Sequence, residues 1–100
     1  MSTLYISEFQ SLQMFSNIAA QIAQTPPLVE QTPITIAATA ASSTAFGTTS
    51  NYVRLNCDVT CSIAFGTGPT ATAGNMRLPA NTTEYFGIVP GQKVSVITNT

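Results

Sequence analysis

Few side chains in this sequence are equipped for chemistry. The carboxylates are Glu8, Glu30, Asp58 and Glu84, the cations Arg54, Arg77 and Lys93, the thiols Cys57 and Cys61, and there is no histidine. Asp58 and Glu84 could be imagined as the carboxylate pair of a glycoside hydrolase. However, Asp58 stands where a tight turn needs an Asp, and such sites usually carry Trp platforms, which this chain lacks. Cys57 and Cys61 form a C-x3-C pair with no second pair and no imidazole, poor spacing for zinc. They read as two small buried hydrophobes. A disulfide across a tight turn is sterically conceivable, and a reducing compartment argues against it. Ser and Thr are abundant, but a hydroxyl nucleophile needs a base, and no His supplies one. The loop Gly66-Thr67-Gly68-Pro69 lacks the Gly-Lys-Ser/Thr ending of a phosphate loop and is expected to be a surface turn. The expectation is a protein that is not an enzyme and holds no cofactor or metal, and whose product is a surface.

Charge supports that expectation. Charged residues make up 7% of the chain, against about 25% in an ordinary soluble domain. The net charge of -1 is too close to neutral to hold a phosphate backbone, so no nucleic-acid partner is expected. No stretch approaches the ~20 apolar residues of a membrane span. The opening Met1-Ser2-Thr3-Leu4-Tyr5 has neither a basic nor an apolar signal region, which predicts synthesis in a cytoplasm. The acceptor pattern Asn81-Thr82-Thr83 is then idle.

The elements that must position these residues are β-strands. Thr3–Phe9 alternates, with Leu4, Ile6 and Glu8 on one side and Tyr5 and Phe9 on the other. Residues 10–24 fit a helical stripe through Leu12, Phe15, Ala19 and Ile22, and also alternate at Ile18, Ala20 and Ile22. The all-β company favours a strand in the second half. Pro26-Pro27 ends that run, and 25–33 reads as an extended connector. From Pro33 onward the cadence is β throughout. Residues 51–57 place Val53, Leu55 and Cys57 inward and Tyr52, Arg54 and Asn56 outward. Asp58-Val59 is read as the turn of a hairpin whose return strand, 60–65, points Cys61, Ile63 and Phe65 inward. Residues 66–75 form a long polar loop. Residues 82–88 make a strand with Tyr85 and Phe86 on opposite faces. Pro90-Gly91 signals a type II turn before the last strand, 93–98, with Val94 and Val96 on one face. Short strands at this spacing predict one all-β domain: a small antiparallel jelly-roll-like sandwich, with an N-terminal arm or first strands over 1–32 and a sandwich body over 33–100.

Several runs carry a family likeness: Tyr52-Val53-Arg54-Leu55, Cys61-Ser62-Ile63-Ala64-Phe65-Gly66, Pro69-Thr70-Ala71-Thr72-Ala73, Leu78-Pro79-Ala80, Glu84-Tyr85-Phe86-Gly87 and Val89-Pro90-Gly91-Gln92-Lys93-Val94. With the opening Thr3–Phe9 and Gln24-Thr25-Pro26-Pro27-Leu28, they resemble a group of small phage and prophage proteins, the capsid cement (decoration) proteins of short-tailed phages. The resemblance implies a jelly-roll-like domain on the outside of a shell of a larger major capsid protein, with no enzyme activity and no cofactor. A stable interface needs on the order of 1,200–2,000 Å², which a small domain reaches best by adding an extended arm. The candidate interface residues are therefore Leu4, Tyr5, Ile6, Phe9, Met14 and Phe15 of the apolar N-terminal region, together with Arg54 and Arg77. Each arginine is either simply solvated or a bidentate partner for a carboxylate. The competing reading of 1–32 is that it supplies two strands to the chain's own sandwich. Pairing of sheet edges between copies would favour a homodimer. If 1–24 is an arm, its deletion weakens particle binding more than it unfolds the body. Alternative functions are another virion component (a tail, adaptor or head-fibre subunit) or a carbohydrate-binding sandwich, whose candidate aromatics are Tyr5, Tyr52 and Tyr85.

Overall fold

Alternating apolar and polar residues become strands whose apolar sides must meet something. In the computed structural model, which describes residues 2–15, 18–23 and 25–99 (the backbone alone over 12–15 and 18–22), they meet each other across two sheets. The strands are β1 (Thr3–Phe9), β2 (Leu12–Phe15), β3 (Ile18–Ala23), β4 (Val29–Glu30), β5 (Ile34–Thr35), β6 (Ala41–Ser42), β7 (Tyr52–Cys57), β8 (Cys61–Gly66), β9 (Met76–Leu78), β10 (Thr82–Gly87) and β11 (Lys93–Thr98). The larger sheet runs β10-β7-β1-β4, with β5 also on β1; the smaller runs β6-β11-β8-β9. All pairings are antiparallel. The fold is the expected all-β antiparallel sandwich, and the described residues contain no helix.

Leu4, Leu55, Val53 and Cys57 from the larger sheet close on Cys61, Ile63, Val94, Val96 and Leu78 from the smaller, each at most 1% exposed. Fully burying a side chain of this size contributes roughly 1.5–3 kcal/mol, so these layers hold the two sheets together. Phe65 lies between Phe46 and Phe86 at one end of the core, with ring centroids 6.4 and 5.4 Å away.

Wiring is where expectation and structure part. Residues 51–57 and 60–65 are strands with the expected inward residues, but they do not form a hairpin. β7 belongs to the larger sheet and β8 to the smaller, so Asp58-Val59-Thr60 arches between layers. The arch lets Cys57 and Cys61 both face the core, as two free, fully buried thiols. Asp58 pins it by accepting the Thr3 N–H at 2.7 Å. β10 and β11 make a similar step between sheets over Pro90-Gly91. There Gly91 has φ 87° and the Gln92 N–H donates to the Val89 carbonyl at 3.1 Å, the type II turn read from the sequence.

The N-terminal third divides in two. β1 lies inside the larger sheet, paired with β7 along its whole length and with β4 and β5 on its other side. β2 and β3 instead form a hairpin, Met14 opposite Ala19 and Phe15 opposite Ile18, which among the described residues joins neither sheet of the sandwich. Among the described residues the ambiguous run holds a strand in each half, β2 and β3. The 1–24 segment is not separable as an arm, because removing it takes an inner strand with it.

Candidate interface surfaces

The outer faces of the two sheets are not alike. On the smaller sheet, Ser62 and Ser95 point away from the core yet are completely buried. The 67–75 loop roofs them: the Ala71 N–H donates to Ser95 Oγ at 3.0 Å, and Ser62 Oγ donates to the Ala73 carbonyl at 3.4 Å. Asn99 Nδ2 adds a bond to Ser62 Oγ at 2.7 Å. The long polar loop read from the sequence is therefore a lid over one face of the sandwich.

The larger sheet has no such roof among the described residues. Its outward positions follow from register: Tyr5 beside Asn56 beside Thr83, then Ser7 beside Arg54 beside Tyr85, then Phe9 beside Tyr52 beside Gly87. Tyr5 is 48% and Tyr85 54% exposed. Tyr52 stacks on Phe9, centroids 5.1 Å apart and 14° from parallel, and Tyr85 leans on both at 6.3 Å. The Tyr52 hydroxyl donates to the Ser11 carbonyl at 2.9 Å, and Asn51 Nδ2 donates to the Gln10 carbonyl at 2.7 Å. These bonds tie the base of the hairpin to the sheet. Asn56 Nδ2 donates to Thr83 Oγ1 at 2.9 Å, and Arg54 reaches the same oxygen at 3.4 Å. Arg54 thus lies half-buried across a tyrosine-rich face.

The candidate residues scatter accordingly. Leu4 and Ile6 are core, 0% and 3% exposed, and offer nothing to a partner. Phe9 points outward but is only 4% exposed, because Tyr52 covers it. Their alternation was legible, but β1's place between two other strands was not. Tyr5 and Arg54 come together on the open face. Met14 and Phe15 lie on the two-stranded hairpin, and their side chains fall outside the described residues. Arg77 is exposed on β9, an edge of the other sheet. It lines an open cavity of about 460 Å³ with Ser2, Val59, Thr60, Thr98 and Asn99. The structure thus does not gather the candidates into one patch. It adds Tyr52, Tyr85, Asn56 and Thr83 to the surface holding Tyr5 and Arg54, and the signal for these was their outward parity.

Several ionisable groups serve the fold. Glu8 is 1% exposed with three donors on its carboxylate: the Gly47 N–H at 2.8 Å and the Ser50 hydroxyl at 2.5 Å on Oε1, and Gln31 Nε2 at 2.6 Å on Oε2. Hydrogen bonds of this kind are what allow a carboxylate to be buried. The Gly47 backbone approaches this group closely: a Cβ there would sit 3.3 Å from Ser50 Oγ, so the serine would have to give by a few tenths of an ångström. The Ser7 hydroxyl donates to the Glu30 carboxylate across β1 and β4. Burial, reinforced by Cys57 alongside, pushes the Cys61 thiol up to about 12, so it is protonated and a poor nucleophile at neutral pH. Among the described residues no three His, Cys, Asp or Glu side chains group as metal ligands.

No protein-family model, curated protein or solved structure matches this chain.

Proposed function

We propose that the chain is a structural virion protein, a capsid cement or decoration protein. In this reading it binds the outside of a shell of major capsid protein, stabilises the joints between capsomers and assembles there with copies of itself, without catalysis or cofactor. The resemblance in sequence suggests the class. The observation that carries the reading is the hairpin at 12–23: an apolar sequence in a two-stranded sheet of its own, attached to a sandwich that already has a complete core. An isolated two-stranded hairpin is marginal in water and gains stability by packing on something else. A joint between capsid subunits is such a surface. The product would reside on the capsid exterior after synthesis in the host cytoplasm.

The test is the copy number of the chain in purified particles, measured by quantitative mass spectrometry against the major capsid protein. A ratio near one to one supports shell-wide cement. A few copies per particle would move the protein to a tail, adaptor or head-fibre position, and complete absence would overturn the virion reading.

One observation favours a second reading, a carbohydrate-binding sandwich. Tyr5, Tyr52 and Tyr85 share the open face with Arg54 and Asn56. Aromatic rings flanked by planar polar groups suit the apolar faces and hydroxyls of a sugar. A glycan array without hits disposes of it.

A further inference from the structure

The sandwich has four sheet edges, and three are short. β4 and β5, at one edge of the larger sheet, and β6, at one edge of the smaller, are two residues each, and β9 is three. Short edge strands are a common way in which proteins avoid pairing with other chains. β10 is different. It has six residues, no proline and no lysine, and it pairs with β7 in unbroken register from Thr82 to Gly87. Among the described residues no strand lies on its other side.

The register says which backbone groups are left over. The Ile88 N–H donates to the Asn51 carbonyl at 3.0 Å, in line with the β10–β7 ladder. Antiparallel bonding alternates, so Thr82, Glu84 and Phe86 turn their backbone groups toward β7. Thr83, Tyr85 and Gly87 turn theirs outward, and all three residues are exposed.

We propose that β10 is a self-pairing edge: two copies of the chain join antiparallel along it about a two-fold axis at Tyr85, merging two five-stranded sheets into one. This register uses the whole strand. It sets Tyr85 against Tyr85 of the second copy and Thr83 against Gly87, where the absent side chain leaves open space. Glu84, the strand's single charge, lies opposite Phe86 and not opposite its own copy. The two carboxylates are diagonal neighbours, roughly 7–8 Å apart. Centring the axis on Glu84 would oppose them directly, which disfavours that register. With a net charge of -1 per chain, little long-range repulsion opposes the encounter. Strand addition of this kind draws affinity from main-chain bonds and register from the side chains. The inference deepens the self-association in the proposed function. It concerns the free protein, so the particle copy number tests that function separately.

Sedimentation velocity of the full chain at micromolar concentration tests the pairing. The wild type is expected at twice 10.5 kDa. Tyr85→Pro removes an N–H that β7 does not use, so the apparent mass should halve while the circular dichroism is unchanged. Glu84→Thr should shift the dimerisation midpoint to lower concentration. A monomeric wild type, or a folded Tyr85→Pro that remains dimeric, would overturn the proposal. Should Tyr85→Pro not fold, Tyr85→Cys decides. Across a hydrogen-bonded antiparallel pair the Cα atoms lie about 5.5 Å apart, within disulfide reach. Oxidation should then give a covalent dimer that a Thr72→Cys control does not, and equal cross-linking in both would count against the edge.

Discussion

The two halves of the N-terminal region have similar compositions and opposite fates. Thr3–Phe9 and residues 12–23 are both apolar, short and alternating. The first is an inner strand of the larger sheet, with neighbours on both sides; the second pairs only with itself. The difference lies in the partners available. β1 meets β7, which presents a matching alternation over six residues, so Leu4 and Ile6 extend the apolar layer of Cys57 and Leu55. Among the described residues the hairpin has no third strand and therefore no sheet face to complete. Apolar content measures how much burial a segment seeks, and the availability of a partner strand decides whether it is found within the chain.

Breaking the first half should cost most. Leu4→Ala empties a fully buried site beside Leu55 and Cys57 and is expected to lower stability by about 2–5 kcal/mol in urea unfolding. A loss under ~1 kcal/mol would mean that β1 is less integral than its pairing implies. Glu8→Ala, on the same strand, leaves the Gly47, Ser50 and Gln31 donors without their acceptor. A loss of about 2–3 kcal/mol is expected, with Glu8→Gln recovering part of it.

Exchanging residues 11–24 for a short Gly-Ser link makes the opposite case. The flanking strands already meet, since the Leu28 N–H donates to the Glu8 carbonyl at 2.8 Å, so the link is easily closed. Stability should change by less than ~1 kcal/mol, whereas co-sedimentation with capsid shells should be lost. Equal loss of fold and binding would erase the distinction between the halves.

The effect that is smallest at neutral pH, because it appears only in alkaline solution, is the titration of Cys61. Cys61 is raised from an ordinary value of 9.0 to about 12 by burial and by Cys57. The folded state therefore keeps a proton that the unfolded chain releases. This contribution is fully present below pH 9 and is lost as pH rises toward 12. Stability should decline across that window, and less so in Cys61→Ala. At pH 8 a thiol reagent should modify the cysteines only on unfolding.

Much of the fold was legible because parity is local. In Tyr52–Cys57 the alternation of Val53, Leu55 and Cys57 with Tyr52, Arg54 and Asn56 is a property of the backbone pleat, and burial follows it residue by residue. Pro90-Gly91 announced its turn through one residue's access to positive φ. The candidate site was legible only in part. Arg54 was placed outward and Tyr5 on the side of its strand opposite Leu4 and Ile6, but which of those two sides meets the core was not legible, because parity names a face without saying what covers it.

The sequence by itself determined the class of structure, the inward and outward sides of the main strands, the burial of the two thiols and the poverty of catalytic groups. Each is set by residue type or by nearest neighbours along the chain. Tertiary structure alone decided that 51–57 and 60–65 arch between sheets instead of pairing, that the 67–75 loop roofs one face while the other stays open, and that β10 is the long free edge. Backbone donors and acceptors are the same in every strand, so the choice of partner rests on how all the apolar faces close together.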